Sequence, residues 1–202
     1  MTVQTKESLE KITPGMALEM LKEGNRRFVE NKRKTRDLSM QTVQTSDGQY
    51  PYAVVFGCVD SRVPVELVFD LGIGDTFAIR VAGNVVNEDV LGSMEFATKV
   101  VGSKHILVLG HTNCGAIQGA VEGLELGNLT EILKKIQPAV EAVKHTSDGD
   151  VDINQVAEMN VRLMMAQITE RSPVLNEMVK DGRISISGGM YDVASGIVTF
   201  LE

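Results

Sequence analysis

An apolar run that stops abruptly at reactive side chains places the strongest constraint on how this chain folds. Residues 53–57 read Ala-Val-Val-Phe-Gly, and Cys58, Asp60 and Arg62 follow this run directly. A buried parallel strand is a continuous apolar run, and open α/β sheets bind their ligands at the carboxyl ends of strands. The pattern therefore predicts a buried strand whose end carries residues able to do chemistry.

A second run of the same kind lies at 104–110 and leads into His111 and Cys114. If the two strands are neighbours in a parallel sheet, Cys58, His111 and Cys114 converge at one edge. Two thiolates and one imidazole are a typical zinc-ligand set, and three protein ligands leave one position open for water or substrate. The competing interpretations are a disulfide and a pair of unrelated buried thiols, although a chain of this length does not need a disulfide to fold.

The alternation of strands and helices predicts a single α/β domain over 1–202, with a mostly parallel central sheet flanked by helices. Residues 1–13 are expected to be loosely ordered, and about 14–31 has the apolar spacing of a helix. This helix packs either on its own core or on a second subunit. With the polar segment 32–48 it completes an N-terminal helical arm, 1–48, which we expect to pack on a partner subunit.

The rest of the chain divides into further helices and strands. Helices are predicted at 64–69, 87–101, 115–126, 129–144, 153–171 and 173–182, and strands at 75–81, 183–187 and 193–201. Pro138 is expected to kink or break the helix that contains it, because proline removes one hydrogen bond of the helix. The methionines of 153–171 are interpreted as core filler. Residues 147–150 read as a loop.

Composition excludes several classes of function. The net charge of −7, from 20 basic and 27 acidic residues, argues against a general nucleic-acid binder, which needs a basic face. The first residues are polar, with no apolar core of a signal peptide, and no apolar run approaches the ~18 residues of a membrane span. We therefore expect a cytoplasmic protein without nucleic-acid or membrane partners.

Asp60 and Arg62 suggest a second chemical element beside the candidate metal ligands. A carboxylate at this position can accept a hydrogen bond from metal-bound water, and a guanidinium can hold that carboxylate ionised through two parallel hydrogen bonds. The competing interpretation is a surface ion pair, which would contribute little. A further possibility is that Asp60 itself takes the fourth position on zinc and closes the site.

The segments 58–62 and 110–115 together resemble the signature of the β-class carbonic anhydrases. The resemblance extends over most of the chain, through blocks at 24–28, 74–75, Arg80, 82–84 and 92–97. It implies one zinc ion per subunit, bound by Cys58, His111 and Cys114, with Asp60 and Arg62 as the catalytic dyad.

The resemblance also assigns residues to substrate binding, namely Gln49, Phe77, Ala82, Phe96 and Gly115. Gln49 matches a glutamine that hydrogen-bonds substrate, often across a subunit interface. Position 96 is often tyrosine in the family, so the pocket loses a hydroxyl here. The chain has no tryptophan, which the bicarbonate-inhibited members use, so we expect the open type with Asp60 paired to Arg62.

The activity implied is reversible hydration of CO2 to bicarbonate and a proton, with zinc-bound hydroxide as the nucleophile, in a homodimer or homotetramer. One alternative is a related zinc hydrolase that acts on carbonyl sulfide or carbon disulfide. Another is a non-catalytic bicarbonate-binding or zinc-binding module, which has no evident need for the dyad. Neither His105 nor His145 is identified as a proton shuttle.

Overall fold

The structure, a computed structural model, describes residues 3–145 and 151–201 and is organised around one central sheet. The strands are β1 (Ala53–Gly57), β2 (Thr76–Arg80), β3 (His105–His111), β4 (Ser185–Tyr191) and β5 (Val198–Leu201). Their order across the sheet is β2-β1-β3-β4-β5, with the first four parallel and β5 antiparallel to β4. The predicted α/β class with a mostly parallel sheet is confirmed.

Helices cover both faces of this sheet. They are α1 (Lys6–Lys11), α2 (Pro14–Val29), α3 (Leu38–Gln44), α4 (Val65–Val68), α5 (Glu88–Glu95), α6 (Gly115–Val121), α7 (Leu129–Lys144), α8 (Ile153–Arg171) and α9 (Pro173–Lys180). A 3-10 turn lies at Ala82–Asn84, and a π-helical turn at Phe96–Val101 continues α5. Residues of α1, α2 and α4 share one apolar core, and residues of α5 to α9 form the other.

The strand register brings the candidate functional loops to one edge of the sheet. Gly57 at the end of β1 pairs with Arg80 on β2 and with Leu109 on β3. Every residue of β1 and β3 is buried, as the apolar sequence predicts for strands covered on both faces. The loops that follow β1, β2 and β3 therefore leave the sheet side by side.

The N-terminal region is more ordered than the sequence predicts. The expectation of a loosely ordered segment at 1–13 is wrong for α1, because Thr5 and Ser8 form a reciprocal capping box and Leu9 is buried. Residues 32–48 lack clear apolar periodicity, yet they contain α3, which Asp37 caps. Both helices are short, and their order depends on caps rather than on an apolar stripe.

Helix α2 packs on the sheet of its own chain. Ala17 and Leu21 are fully buried in the core that also contains Val55 of β1. Gly24 lies so close to the carbonyl of Phe69 that an added Cβ would overlap it. This is the first of the two placements considered for the helix, whereas packing of 1–48 on a partner subunit stays a prediction.

Elements in the second half of the chain differ from prediction mainly at their ends. Pro138 does not break α7 into two, since the fully buried Ile136 and Ala139 on either side hold the helix in the core. Helix α6 ends at Val121, before Gly123 adopts a φ of 69°. Strand β4 continues past the predicted range, and β5 begins later than predicted.

Two further expectations concern α8 and the segment before it. Met164 of α8 is buried, as predicted for core filler, and its sulfur accepts a hydrogen bond from the Val86 amide. The loop predicted at 147–150 lies outside the described residues. None of the described helices combines the length and the apolar composition of a membrane span.

Candidate metal centre

Three side chains able to bind a metal converge at the carboxyl edge of the sheet. Cys58 follows the last residue of β1, His111 ends β3, and Cys114 lies directly before α6. Their ligand atoms all lie within 4.8 Å of one another, and all three residues are buried. Both cysteines are free, so the predicted convergence is present without a disulfide.

The imidazole of His111 is held in the orientation that a metal ligand requires. Its Nδ1 donates a hydrogen bond to the carbonyl of Thr112 at 2.9 Å, so the ring proton resides on Nδ1 and the lone pair on Nε2. Nε2 is buried and has no hydrogen-bond partner among the described residues. A buried polar atom without a partner is costly, and a bound metal ion would remove that cost.

The two thiol groups shift each other's pKa in opposite directions. The Cys114 thiol donates a hydrogen bond to Cys58, which lowers the pKa of Cys58, and the same hydrogen bond raises the pKa of Cys114. The backbone N–H of Gly83 also donates to the Cys58 sulfur at 3.3 Å. Metals bind cysteine as thiolate, so a divalent cation held here would take both sulfurs in their deprotonated form. The donor set fits zinc.

Asp60 and Arg62 form the paired arrangement predicted beside the metal ligands. Arg62 Nε and Nη2 donate to the two carboxylate oxygens of Asp60 at 2.9 and 2.8 Å. These hydrogen bonds lower the pKa of Asp60 to about 2. Asp60 Oδ2 lies 3.9 Å from His111 Nε2. The carboxylate is therefore ionised at the border of the candidate metal site, with both oxygens engaged by arginine.

Sequence reasoning misses the residues that hold the two ligand loops in place. Arg80 donates from Nε to the Cys58 carbonyl at 2.9 Å and from Nη2 to the Asp60 carbonyl at 2.6 Å. The N–H of Asn113 donates to the side-chain oxygen of Asn154 on α8 at 3.0 Å. The sequence marks Arg80 only as part of a family block. Its place at the carboxyl end of a strand beside β1 is the signal that could have predicted its hydrogen bonds to the loop after β1.

Not all predicted substrate-binding residues lie at this centre. Ala82 belongs to the turn that approaches Cys58 through Gly83, and Gly115 is the residue after Cys114. Phe77 and Phe96 lie elsewhere, with their ring centroids 6.1 Å apart at 72°. They line a cleft of about 600 Å³ along β2, and its lining contains none of the three candidate ligands.

Gln49 is also separate from the metal ligands of its own chain. It is exposed and precedes β1, whereas Cys58 follows the other end of that strand. Within one chain the structure thus brings together the three ligands, the dyad, Ala82 and Gly115. It leaves Gln49 and the two phenylalanines apart from them.

Comparisons with known proteins agree with this arrangement. Residues 53–198 match the family model described as carbonic anhydrase. Carbonic anhydrase 2 of Mycobacterium tuberculosis is 35% identical over 189 residues, which cover 91% of this chain and 90% of that protein. The carbonic anhydrase of Mycolicibacterium smegmatis is 34% identical over 191 residues, 92% of each chain.

Solved structures show the same fold. A β-carbonic anhydrase of Aspergillus fumigatus superposes with a TM-score of 0.73 at 28% identity, covering 93% of this chain and 90% of that one. A β-carbonic anhydrase of Sordaria macrospora, described as tetrameric, has a TM-score of 0.72 at 24% identity over 81% of this chain and 90% of that one. The chain belongs to the β-class carbonic anhydrases, a family of enzymes.

Proposed function

We propose that this protein catalyses the zinc-dependent, reversible hydration of CO2 to bicarbonate and a proton. The observation that carries the proposal is the convergence of Cys58, His111 and Cys114 beside the ion pair of Asp60 and Arg62. One zinc ion per subunit, when bound by these three residues, would lower the pKa of a water molecule toward ~7 and so supply the nucleophile.

The dyad orients the reacting water rather than taking its proton. A carboxylate whose pKa is about 2 is too weak a base to hold a proton near neutral pH. It can still accept a hydrogen bond and so select one orientation of water at the metal. Arg62 keeps Asp60 in place, and its Nη2 also donates to the Asn113 carbonyl at 3.1 Å, which links the two ligand loops. The product proton then passes to solvent or buffer.

Gln49, Phe77 and Phe96 fit this reaction if a second subunit supplies them. All three lie apart from the metal ligands of their own chain, and Phe96 is 48% exposed although it is a large apolar residue. Their roles would be a hydrogen bond to bicarbonate and an apolar wall for CO2. This placement supports a homodimer, or a homotetramer such as the one described for the Sordaria protein, as the active form.

The two free thiols also support the proposed cytoplasmic location, because thiols persist in reducing compartments. No nucleic-acid or membrane partner is proposed. Carbonyl sulfide or carbon disulfide hydrolysis remains the alternative activity for the same metal site, and a non-catalytic bicarbonate-binding or zinc-binding module is the alternative of another class.

Stopped-flow CO2 hydration between about pH 7 and 9, on protein of known zinc content, tests the proposal. We expect a fast rate that rises with pH. Zinc-replete protein without turnover of CO2 would contradict the proposal. Assays with carbonyl sulfide and carbon disulfide on the same sample would then separate the alternative hydrolase from the non-catalytic module.

A further inference from the structure

A chain of two hydrogen bonds connects the interior of α8 to one metal ligand. Gly83 donates its N–H to the Cys58 sulfur at 3.3 Å, and its carbonyl accepts a hydrogen bond from Asn160 Nδ2 at 2.9 Å. Both hydrogen bonds are buried. The amide orientation of Asn160 is unambiguous, since a carbonyl can only accept a hydrogen bond.

The turn around Gly83 cannot hold its shape by side-chain packing alone. Gly83 has a φ of 64°, which residues with a Cβ rarely adopt, and an added Cβ would lie 2.7 Å from Ile136 Cδ1. A glycine is the most mobile residue of a backbone, so its N–H keeps a fixed direction only if its peptide groups are held. Two hydrogen bonds hold the peptide group that follows Gly83: Asn160 donates to its carbonyl, and its N–H, that of Asn84, donates to the Val81 carbonyl at 2.8 Å.

Burying the polar amide of Asn160 at its position in the core costs free energy. Asn160 is fully buried in the middle of α8, and its Oδ1 has no hydrogen-bond partner among the described residues. An amide that is only half satisfied stabilises a core less than a well-packed aliphatic side chain would. Since packing does not favour asparagine here, the contact it makes to the turn beside Cys58 is the reason that remains.

We propose that Asn160 is a positioning residue for the metal ligand Cys58, which it acts on through Gly83. By holding the Gly83 carbonyl, Asn160 restrains the turn from which the Gly83 N–H, in the preceding peptide group, donates to the sulfur. That N–H fixes the sulfur in place and draws negative charge from it when it is a thiolate. The inference rests on the proposed zinc site and adds a residue that stands one contact further from the metal.

The test replaces Asn160 by leucine in the full-length protein, which keeps a similar shape and removes the donor. Zinc affinity is measured by competition with a chelator, and the sulfur-to-metal charge-transfer band is recorded after cobalt(II) substitution. We expect zinc to bind about 10-fold more weakly. This is the low end of the losses in metal affinity that follow when a residue hydrogen-bonded to a metal ligand is mutated. We also expect the band to shift to the red, because a thiolate that has lost a hydrogen bond gives up an electron more easily.

Ile168→Val is the matched control, because Ile168 is fully buried on the same helix, two turns further on, and has no polar contact to lose. It should keep the zinc affinity and the cobalt band of the unmodified protein, even if its thermal stability falls. Asn160→Ala also removes the donor, without adding volume, and serves if the leucine variant does not fold. The inference would be overturned if the Asn160 variant that folds has the same zinc affinity and the same cobalt band as Ile168→Val.

The same measurements separate this inference from the proposed function. Unmodified protein that binds no zinc would refute the zinc site itself. Unmodified protein that binds zinc and hydrates CO2, next to an Asn160→Leu variant with unchanged zinc affinity and band, would refute only the role of Asn160.

Discussion

The two ends of strand β3 each carry a buried histidine, and the difference between them separates function from structure. At the amino end, His105 places Nδ1 2.8 Å from the Ser185 hydroxyl and Nε2 2.9 Å from the Ser187 hydroxyl. At the carboxyl end, His111 has only its Nδ1 engaged, and Nε2 faces two thiols without a hydrogen-bond partner among the described residues. An imidazole with both nitrogens hydrogen-bonded stabilises the sheet, whereas an imidazole with only one nitrogen hydrogen-bonded is available to bind a metal through the other.

The largest expected effect comes from exchanging these two histidines for glutamine separately. His111→Gln removes one of the three candidate ligands of the proposed zinc site, so zinc and CO2 hydration should both be lost. His105→Gln should keep bound zinc and turnover, because its partners are two serines of the neighbouring strand. Zinc content and stopped-flow rates measure both variants. Loss of zinc from His105→Gln at native fold would break the comparison.

The same contrast applies to two aspartates that bind arginine. Asp60→Asn should keep zinc and lose roughly 10²-fold or more in turnover, the usual scale for groups that handle the reacting water. Asp70, which accepts hydrogen bonds from Arg27 at 2.6 Å and from Arg36, lies away from the metal site.

Asp70→Asn is the matched control for the loss of a carboxylate. It should cost about 3 kcal/mol of the free energy of unfolding, as for a broken buried ion pair, with the rate per folded molecule unchanged. Stopped-flow rates and chemical denaturation give the two quantities. Loss of zinc from Asp60→Asn would instead identify Asp60 as a metal ligand, which contradicts the open arrangement.

His105 should also give the free energy of unfolding a dependence on pH. Burial, together with a smaller contribution from the positive charge of Lys22, lowers the pKa of His105 to about 4. Above pH ~6.5 the ring is neutral in both states, and as pH falls toward 4 only the unfolded chain takes up the proton. Stability from this residue is thus present above pH ~6.5 and is lost on acidification, by about 3 kcal/mol at most.

Denaturation midpoints of the unmodified protein and His105→Gln between pH 7 and 4 measure this effect. The His105→Gln variant should lack the part of the acid destabilisation that arises because His105 takes up a proton in the unfolded chain but not in the folded one. Parallel curves for the two proteins would show that the proton uptake occurs elsewhere.

The smallest expected effect comes from Gln49, in the exposed region before β1, which we expect to contact substrate in the site of a neighbouring subunit. Gln49→Ala should reduce kcat/KM about 10-fold, the loss of one uncharged hydrogen bond to substrate, and should leave stability unchanged because the side chain is exposed.

Mixing the Gln49→Ala protein with the Asp60→Asn protein then tests whether residues at the two ends of β1 act within one subunit or across two. If Gln49 acts across the interface, each hybrid dimer contains one site with both residues intact, and mixing restores activity. If Gln49 acts within its own chain, every site in the hybrid lacks one residue, and mixing restores none. Stopped-flow rates of subunits mixed and reassembled decide between the two.

Much of the site can be predicted because its residues sit where local sequence rules are strong. The apolar runs of β1 and β3 are typical of buried strands, and the ends of parallel neighbours meet at one edge. These rules are enough to place Cys58, His111 and Cys114 together. The caps of α1 and α3 are equally local signals, but without an apolar stripe beside them they do not predict a helix.

The sequence by itself determined the fold class, the convergence of the three candidate metal ligands and the pairing of Asp60 with Arg62, since each follows from short-range pattern and side-chain chemistry. Only the tertiary structure decided that α2 lies on its own sheet, that α7 passes through Pro138 unbroken, and that Asn160 reaches Gly83. Those outcomes depend on contacts between residues far apart in the chain. Such contacts leave no periodicity behind, because they are set by how helices and sheet pack against each other.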